Sequence, residues 1–241
     1  MLVLAFDTTS EFGGAGIFRD AECLASLANE GPANVYSVSL FEMVERLFGQ
    51  ARDSGPKLSL RDVELFAVAN GPGSFTGIRV GLAAAQAWAK AFERPARGVS
   101  VLEAMVDEGD PETDWAVPIL DARRGEFYLS LYRRAEQAGV ARFVAEGEGL
   151  VLKPEALATF LAENLPSGAA VTCLVRAGDR SPLELANTLL KSTRCRKISG
   201  TLVAAIARLA LRAQGEGEPP SPAELDACYI RRSDAELNWK E

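Results

Sequence analysis

The chain has 241 residues, 48% of them hydrophobic and 24% charged, which is ordinary for a globular protein of one large domain or two small ones. It contains no histidine, and this excludes a Ser-His-Asp triad, a His-ligated metal centre and the usual proton shuttle near neutral pH. Its net charge of −7, with both signs mixed along the sequence, argues against strong autonomous binding to a phosphate backbone, so an RNA role needs a partner that supplies the positive surface. Residues 2–6, Leu-Val-Leu-Ala-Phe, read as a strand buried on both faces. No positively charged start and no cleavage pattern accompany them, so they are not read as a signal peptide. No apolar run approaches the roughly 18–20 residues of a membrane span, and the expectation is a cytoplasmic protein.

Asp7-Thr8-Thr9-Ser10 turns the first strand, residues 13–18 return beside it, and 22–28 complete a β-meander. Over 35–51 the pattern becomes helical, with Val35, Leu40, Met43, Val44, Leu47 and Phe48 apolar. Residues 63–69 form another buried strand. It ends in Asn70-Gly71-Pro72-Gly73-Ser74-Phe75-Thr76-Gly77, and an Ala-rich helix follows over 78–92. A second unit opens near Val99, where Ser100 and Glu103 have capping-box spacing. Strands are expected at 115–121 and 126–134 around the turn 122–125, a helix at 154–163 and a strand at 170–175. Ser181-Pro182-Leu183-Glu184 reads as a capped helix start, 201–212 as an amphipathic helix and 215–222 as a linker to the tail. A strand ending in Asp and followed by a hairpin return occurs twice, at 2–18 and at 115–132. The expected plan is a duplicated α/β architecture: an N-terminal, partner-docking subdomain at 1–98, a C-terminal subdomain at 99–214, and a linker and tail at 215–241.

The segment 70–77 is the most distinctive. Its glycines fit neither a dinucleotide fingerprint nor a P-loop. A Gly-rich turn entering a helix presents backbone N–H groups at the positive end of the helix dipole, so Gly71, Gly73, Ser74 and Thr76 are candidates for anion or nucleotide contact. The competing and favoured reading is a tight crossover capped by Ser74 or Thr76. Asp7, Thr8 and Thr9 occupy a place suited to a phosphate and magnesium loop, but without a glycine there an Asx-turn closing the hairpin is the stronger reading. In the second unit Asp121 precedes Arg123 and Arg124, either anion forks or solvated turn residues.

Gly81, Ala85 and Ala89 form a stripe of small residues, while Val35, Val38, Phe41, Val44 and Phe48 spread over a wide arc. Together they exceed what one sheet face requires, which points to an outer contact with another protein. Lys191, Arg194, Arg196 and Lys197 read as a solvated turn. The separated cysteines Cys23, Cys173, Cys195 and Cys228 read as reduced structural thiols.

In order, these segments resemble the TsaB (YeaZ) family. The resemblance is carried by residues 4–10, by Gly71-Pro72-Gly73-Ser74-Phe75-Thr76-Gly77-Ile78-Arg79-Val80-Gly81-Leu82-Ala83, by 99–104 and 120–128, and by Tyr229-Ile230-Arg231-Arg232. It implies an actin/hexokinase-like (ribonuclease H-like) duplicated fold with two subdomains. It further implies a non-catalytic partner of the catalytic paralogue TsaD, associated through it with the ATPase TsaE and indirectly with tRNA, in a complex that forms N6-threonylcarbamoyladenosine. No catalytic or metal residue is expected in this chain. ATP or ADP would sit at the partner interface, and the two helices would dock TsaD. Many relatives carry His-Ser where this chain has Tyr36-Ser37. Two other readings stand beside this one: an independent ATP-binding kinase or ATPase of the same fold, and a homodimer using the same helices when the partner is missing.

Overall fold

The computed structural model describes residues 1–31, 36–51, 57–137, 139–179, 182, 184, 194–217 and 221–231. Strand β1 (Leu2–Asp7) is buried at every position, so both faces of its sheet are covered. β2 (Gly14–Arg19) and β3 (Glu22–Ala28) continue antiparallel from it. β4 (Leu65–Gly71) and β5 (Ala96–Ser100) extend it in parallel on the other side. The order is therefore β3-β2-β1-β4-β5. Helices α1 (Tyr36–Ala51) and α2 (Phe75–Phe92) share one apolar cluster with Leu2, Leu4, Phe6, Phe66 and Val68. The alternate side chains of β1 and β4 point away from that cluster, as the two-residue period of a strand requires. Helix α5 (Val203–Glu216) lies against β1, β2, β4 and β5 and covers that second face. α3 (Val101–Gly109) precedes the second sheet and is tied to α5 by Arg208, whose Nε donates to the Asp107 carboxylate at 2.8 Å.

The second sheet repeats the plan. β6 (Trp115–Asp121) pairs antiparallel with β7 (Phe127–Leu129), which pairs antiparallel with β10 (Leu150–Leu152). On its other side β11 (Val171–Arg176) and β12 (Arg194–Ile198) run parallel to it. The order β10-β7-β6-β11-β12 matches that of the first sheet strand for strand. A hairpin of β8 (Tyr132–Gln137) and β9 (Val140–Ala145) pairs with the start of β6. Helix α4 (Pro154–Asn164) buries Leu157 and Leu161 against Val117, Ile119, Leu129 and Val175.

Several expectations are corrected. The strand expected at 126–134 divides into β7 and β8, both pairing with β6. β5, β9, β10 and β12 were not foreseen, and Arg194, Arg196 and Lys197 lie in β12, not in a turn. α2 begins three residues early because Ser74 caps it. The chain divides into Met1–Glu108 with Ser199–Cys228, and Gly109–Ile198 with Tyr229–Glu241, in place of breaks at 98 and 214. The reason is α5: its apolar stripe is needed by the first sheet. Val35, Lys191, Arg232 and residues 181 and 183 of the expected helix start lie outside the described residues. Among the described residues no helix is long and apolar enough to cross a membrane.

Candidate partner-docking face

Asp7, fully buried at the end of β1, fixes the turn that follows: its Oδ1 accepts the Thr9 N–H at 2.8 Å and the Thr9 hydroxyl at 2.6 Å. This is the Asx-turn geometry. The turn is then joined to the start of α2. The Thr8 hydroxyl donates to the Gly77 carbonyl at 2.7 Å, and the Ser74 N–H donates to the Thr9 carbonyl at 2.7 Å. Ser74 Oγ in turn accepts the Gly77 N–H at 3.2 Å, the capping bond that one free donor of a helix start requires. A Cβ on Gly77 would overlap the Thr8 carbonyl, and one on Gly73 would come 2.6 Å from the Thr9 carbonyl. Those glycines are there to let the helix start press onto the turn.

The candidate anion residues Asp7, Thr8, Thr9, Gly71, Gly73, Ser74 and Thr76 thus all lie on these two turns. The N–H groups of Ser74 and Gly77, however, are already used within the chain, and of the seven residues only Thr76 is well exposed. Tyr36 reinforces the arrangement, since its buried hydroxyl donates to the Ser10 carbonyl at 2.9 Å. Periodicity could not reveal this role, because helical spacing does not say which distant carbonyl a hydroxyl will meet.

The outer surface of the two helices is narrower than expected. Val38 is 65% exposed and Phe41 54%, one helical turn apart on α1. Phe41 stands edge-on to Trp88 of α2 with ring centroids 5.7 Å apart, and Trp88 meets Phe6 at 5.6 Å, so the exposed ring rests on the core. Phe75, 43% exposed at the start of α2, is an exposed aromatic that the sequence reading did not single out; the Arg79 guanidinium lies 3.8 Å over its ring. Beside the C-terminal half of α2 is an open cavity of about 1140 Å³, lined by Ala83, Gln86, Ala87, Lys90, Pro95 and Ala223 among others.

The other expected interface residues are corrected. Val44, Phe48, Gly81, Ala85 and Ala89 are buried in the first unit's own core. The small-residue stripe serves the sheet beneath α2: a Cβ on Gly81 would lie 3.1 Å from Val68 Cγ2 and would crowd the Thr8 hydroxyl.

At the matching place in the second unit, Asp121 Oδ1 accepts the Arg123 N–H at 2.7 Å, another Asx-type turn. Arg123, Arg124 and Gly125 all have positive φ, at 63°, 58° and 73°. Arg231 holds this turn from the tail, donating to the Ala122 carbonyl at 3.0 Å and pairing with the Glu126 carboxylate. Burial pushes the Asp179 carboxyl above its ordinary range, partly offset by the Asp121 N–H that it accepts.

Two sheets of the same order, each opening with three antiparallel strands and closing with two parallel ones, define a duplicated α/β protein of the actin/hexokinase-like class. The profile matching residues 32–227 is that of TsaD, described as tRNA N6-adenosine threonylcarbamoyltransferase. The chain belongs to this family and, within it, to the TsaB/YeaZ group. It is 35% identical over 161 residues to the Escherichia coli "tRNA threonylcarbamoyladenosine biosynthesis protein TsaB", covering 64% of each chain. The Bacillus subtilis protein of the same name is 33% identical over 133 residues, 55% of this chain and 56% of that one. The matches therefore span somewhat under two thirds of these relatives. The solved structure of YeaZ from Pseudomonas aeruginosa superposes with a TM-score of 0.69 at 22% identity, over 95% of this chain and 99% of that one, a likeness of fold.

Proposed function

We propose that this chain is a non-catalytic partner subunit in the formation of N6-threonylcarbamoyladenosine on tRNA, acting by docking the catalytic paralogue TsaD. The observation that carries the reading is the exposed apolar pair Val38 and Phe41 on α1, the Phe41 ring resting edge-on against Trp88 of α2. Rigid aromatic anchors of this kind account for most of the binding energy in protein interfaces. The absence of histidine supports the same division of labour, since a partner would supply any imidazole the reaction uses. The names carried by the Escherichia coli and Bacillus subtilis relatives support the pathway. ATP or ADP is assigned to the interface with the partner and not to this chain alone, because donors of the 71–77 turn are spent on Thr9 and Ser74. TsaE and tRNA are reached through the partner, and the cytoplasm is the compartment where that tRNA is found.

The test is reconstitution of tRNA modification from TsaD, TsaE and the upstream adenylate, with and without this chain. Modification that needs the chain, together with a heterodimer seen by light scattering, is the expected result. Modification by this chain without TsaD, full modification in its absence, or a homodimer that persists when TsaD is added would each overturn the reading. Calorimetric titration with Mg-ATP separates the kinase alternative, which requires tight binding and turnover by the isolated chain.

A further inference from the structure

Cys173 and Cys195 are register partners on the parallel strands β11 and β12. Register partners in a parallel ladder project to the same face from strands about 4.8 Å apart. That spacing lies inside the Cα separation of roughly 4.4–6.8 Å that a disulfide accepts. Among the described residues β12 is the edge of its sheet, with a neighbour on one side only. The two thiols differ in access. Cys173 is fully buried, packed with Val117 and Val175, whereas Cys195 is exposed. Cys195 also lines a polar cavity of about 460 Å³ together with Glu112, Thr172, Arg194, Arg196 and Lys197.

We propose that Cys173 and Cys195 form a reversible cross-strand redox pair, oxidised by hydroperoxides that reach the exposed Cys195. Cys195, as thiolate, attacks a peroxide oxygen; the O–O bond breaks, hydroxide leaves and takes up the thiol proton as water, and a sulfenic acid remains. The Cys173 sulfur then attacks the sulfenic sulfur, and the displaced hydroxide combines with the Cys173 proton. In sum, two thiols and one hydrogen peroxide give one disulfide and two waters, and a dithiol reductant reverses the change. Burial pushes the Cys173 thiol up to about 12 and raises Cys195 as well, so the pair resists oxidation at neutral pH and reacts faster as pH rises. The bond would fasten the edge strand to its neighbour.

The experiment uses the full chain carrying Cys23→Ser and Cys228→Ser, which leaves this pair alone. After hydrogen peroxide at mildly alkaline pH, the intact mass should fall by two hydrogens. The peptides carrying Cys173 and Cys195 should be found linked, and dithiothreitol should separate them. In the further variant Cys195→Ser, whose substitution lies on an exposed edge, Cys173 should stay reduced under the same treatment. Two titratable thiols persisting after peroxide would overturn the proposal. So would Cys195 trapped as sulfinic acid with Cys173 untouched, or Cys173 oxidised equally fast without Cys195.

Discussion

Phe41→Ala is the sharpest perturbation of the proposed docking face. Phe41 is 54% exposed, and the rest of its ring rests on Trp88. A phenylalanine side chain carries about 200 Å² of burial, so about 110 Å² is left for a partner to cover. At ~25 cal/mol per Å² of apolar area removed from water, that surface is worth about 2.7 kcal/mol. Removing it should weaken binding of TsaD about 100-fold, since each 1.4 kcal/mol is a factor of ten. The part of the ring already covered within the chain, about 90 Å², and the lost edge-on contact with Trp88 together cost about 3–4 kcal/mol of stability, less than the total of an ordinary domain, so the variant should still melt cooperatively. Val140, 52% exposed on β9 of the second unit, supplies the control: Val140→Ala should leave the affinity unchanged. Titration calorimetry against purified TsaD reads both values. A loss of less than threefold for Phe41→Ala, or an equal loss for Val140→Ala, would refute the assignment of this face.

Three further outcomes concern the turns beneath that face and the second unit. Gly77→Ala drives a methyl group into the Thr8 carbonyl and should lower stability by about 1–3 kcal/mol, read from urea melts. Asp7→Ala leaves the Thr9 N–H and hydroxyl buried without the acceptor they use, a loss of about 1–3 kcal/mol; Asp7→Asn keeps an oxygen there and should lose less, and equal losses would speak against the Asx-turn role. Asp179 has a folded pKa above its ordinary 3.8, so the folded state holds the proton more tightly and stability declines as pH rises from that value through the raised one. Asp179→Asn should remove that decline and gain stability at neutral pH relative to the native chain. Urea midpoints at acid and neutral pH measure this, and an unchanged pH profile would count against it.

The central strands were legible in the sequence for a physical reason. β1, β4, β6 and β11 are covered on both faces, so they must be continuous apolar runs, and such runs declare themselves without any knowledge of their neighbours. The helices declared themselves through the 3.6-residue period, and the recurrence of a strand ending in Asp gave the duplication. The edge strands β5, β10 and β12 did not. β5, Ala-Arg-Gly-Val-Ser, and β12, Arg-Cys-Arg-Lys-Ile, have little apolar pattern of their own. They are strands because β4 and β11 offer them a ladder of N–H and C=O groups, and hydrogen bonding to a neighbour leaves no periodicity in sequence.

The candidate site divides along the same line. The apolar arc on α1 and the small residues on α2 are sequence facts. The sequence counts apolar residues but does not say how much sheet lies beneath them. Only tertiary packing decided that Val44, Phe48, Ala85 and Ala89 face inward while Val38 and Phe41 remain outside. It likewise decided that the glycines after β4 serve close contact with the turn after Asp7, because that turn is distant in sequence and adjacent only once β1 and β4 have paired.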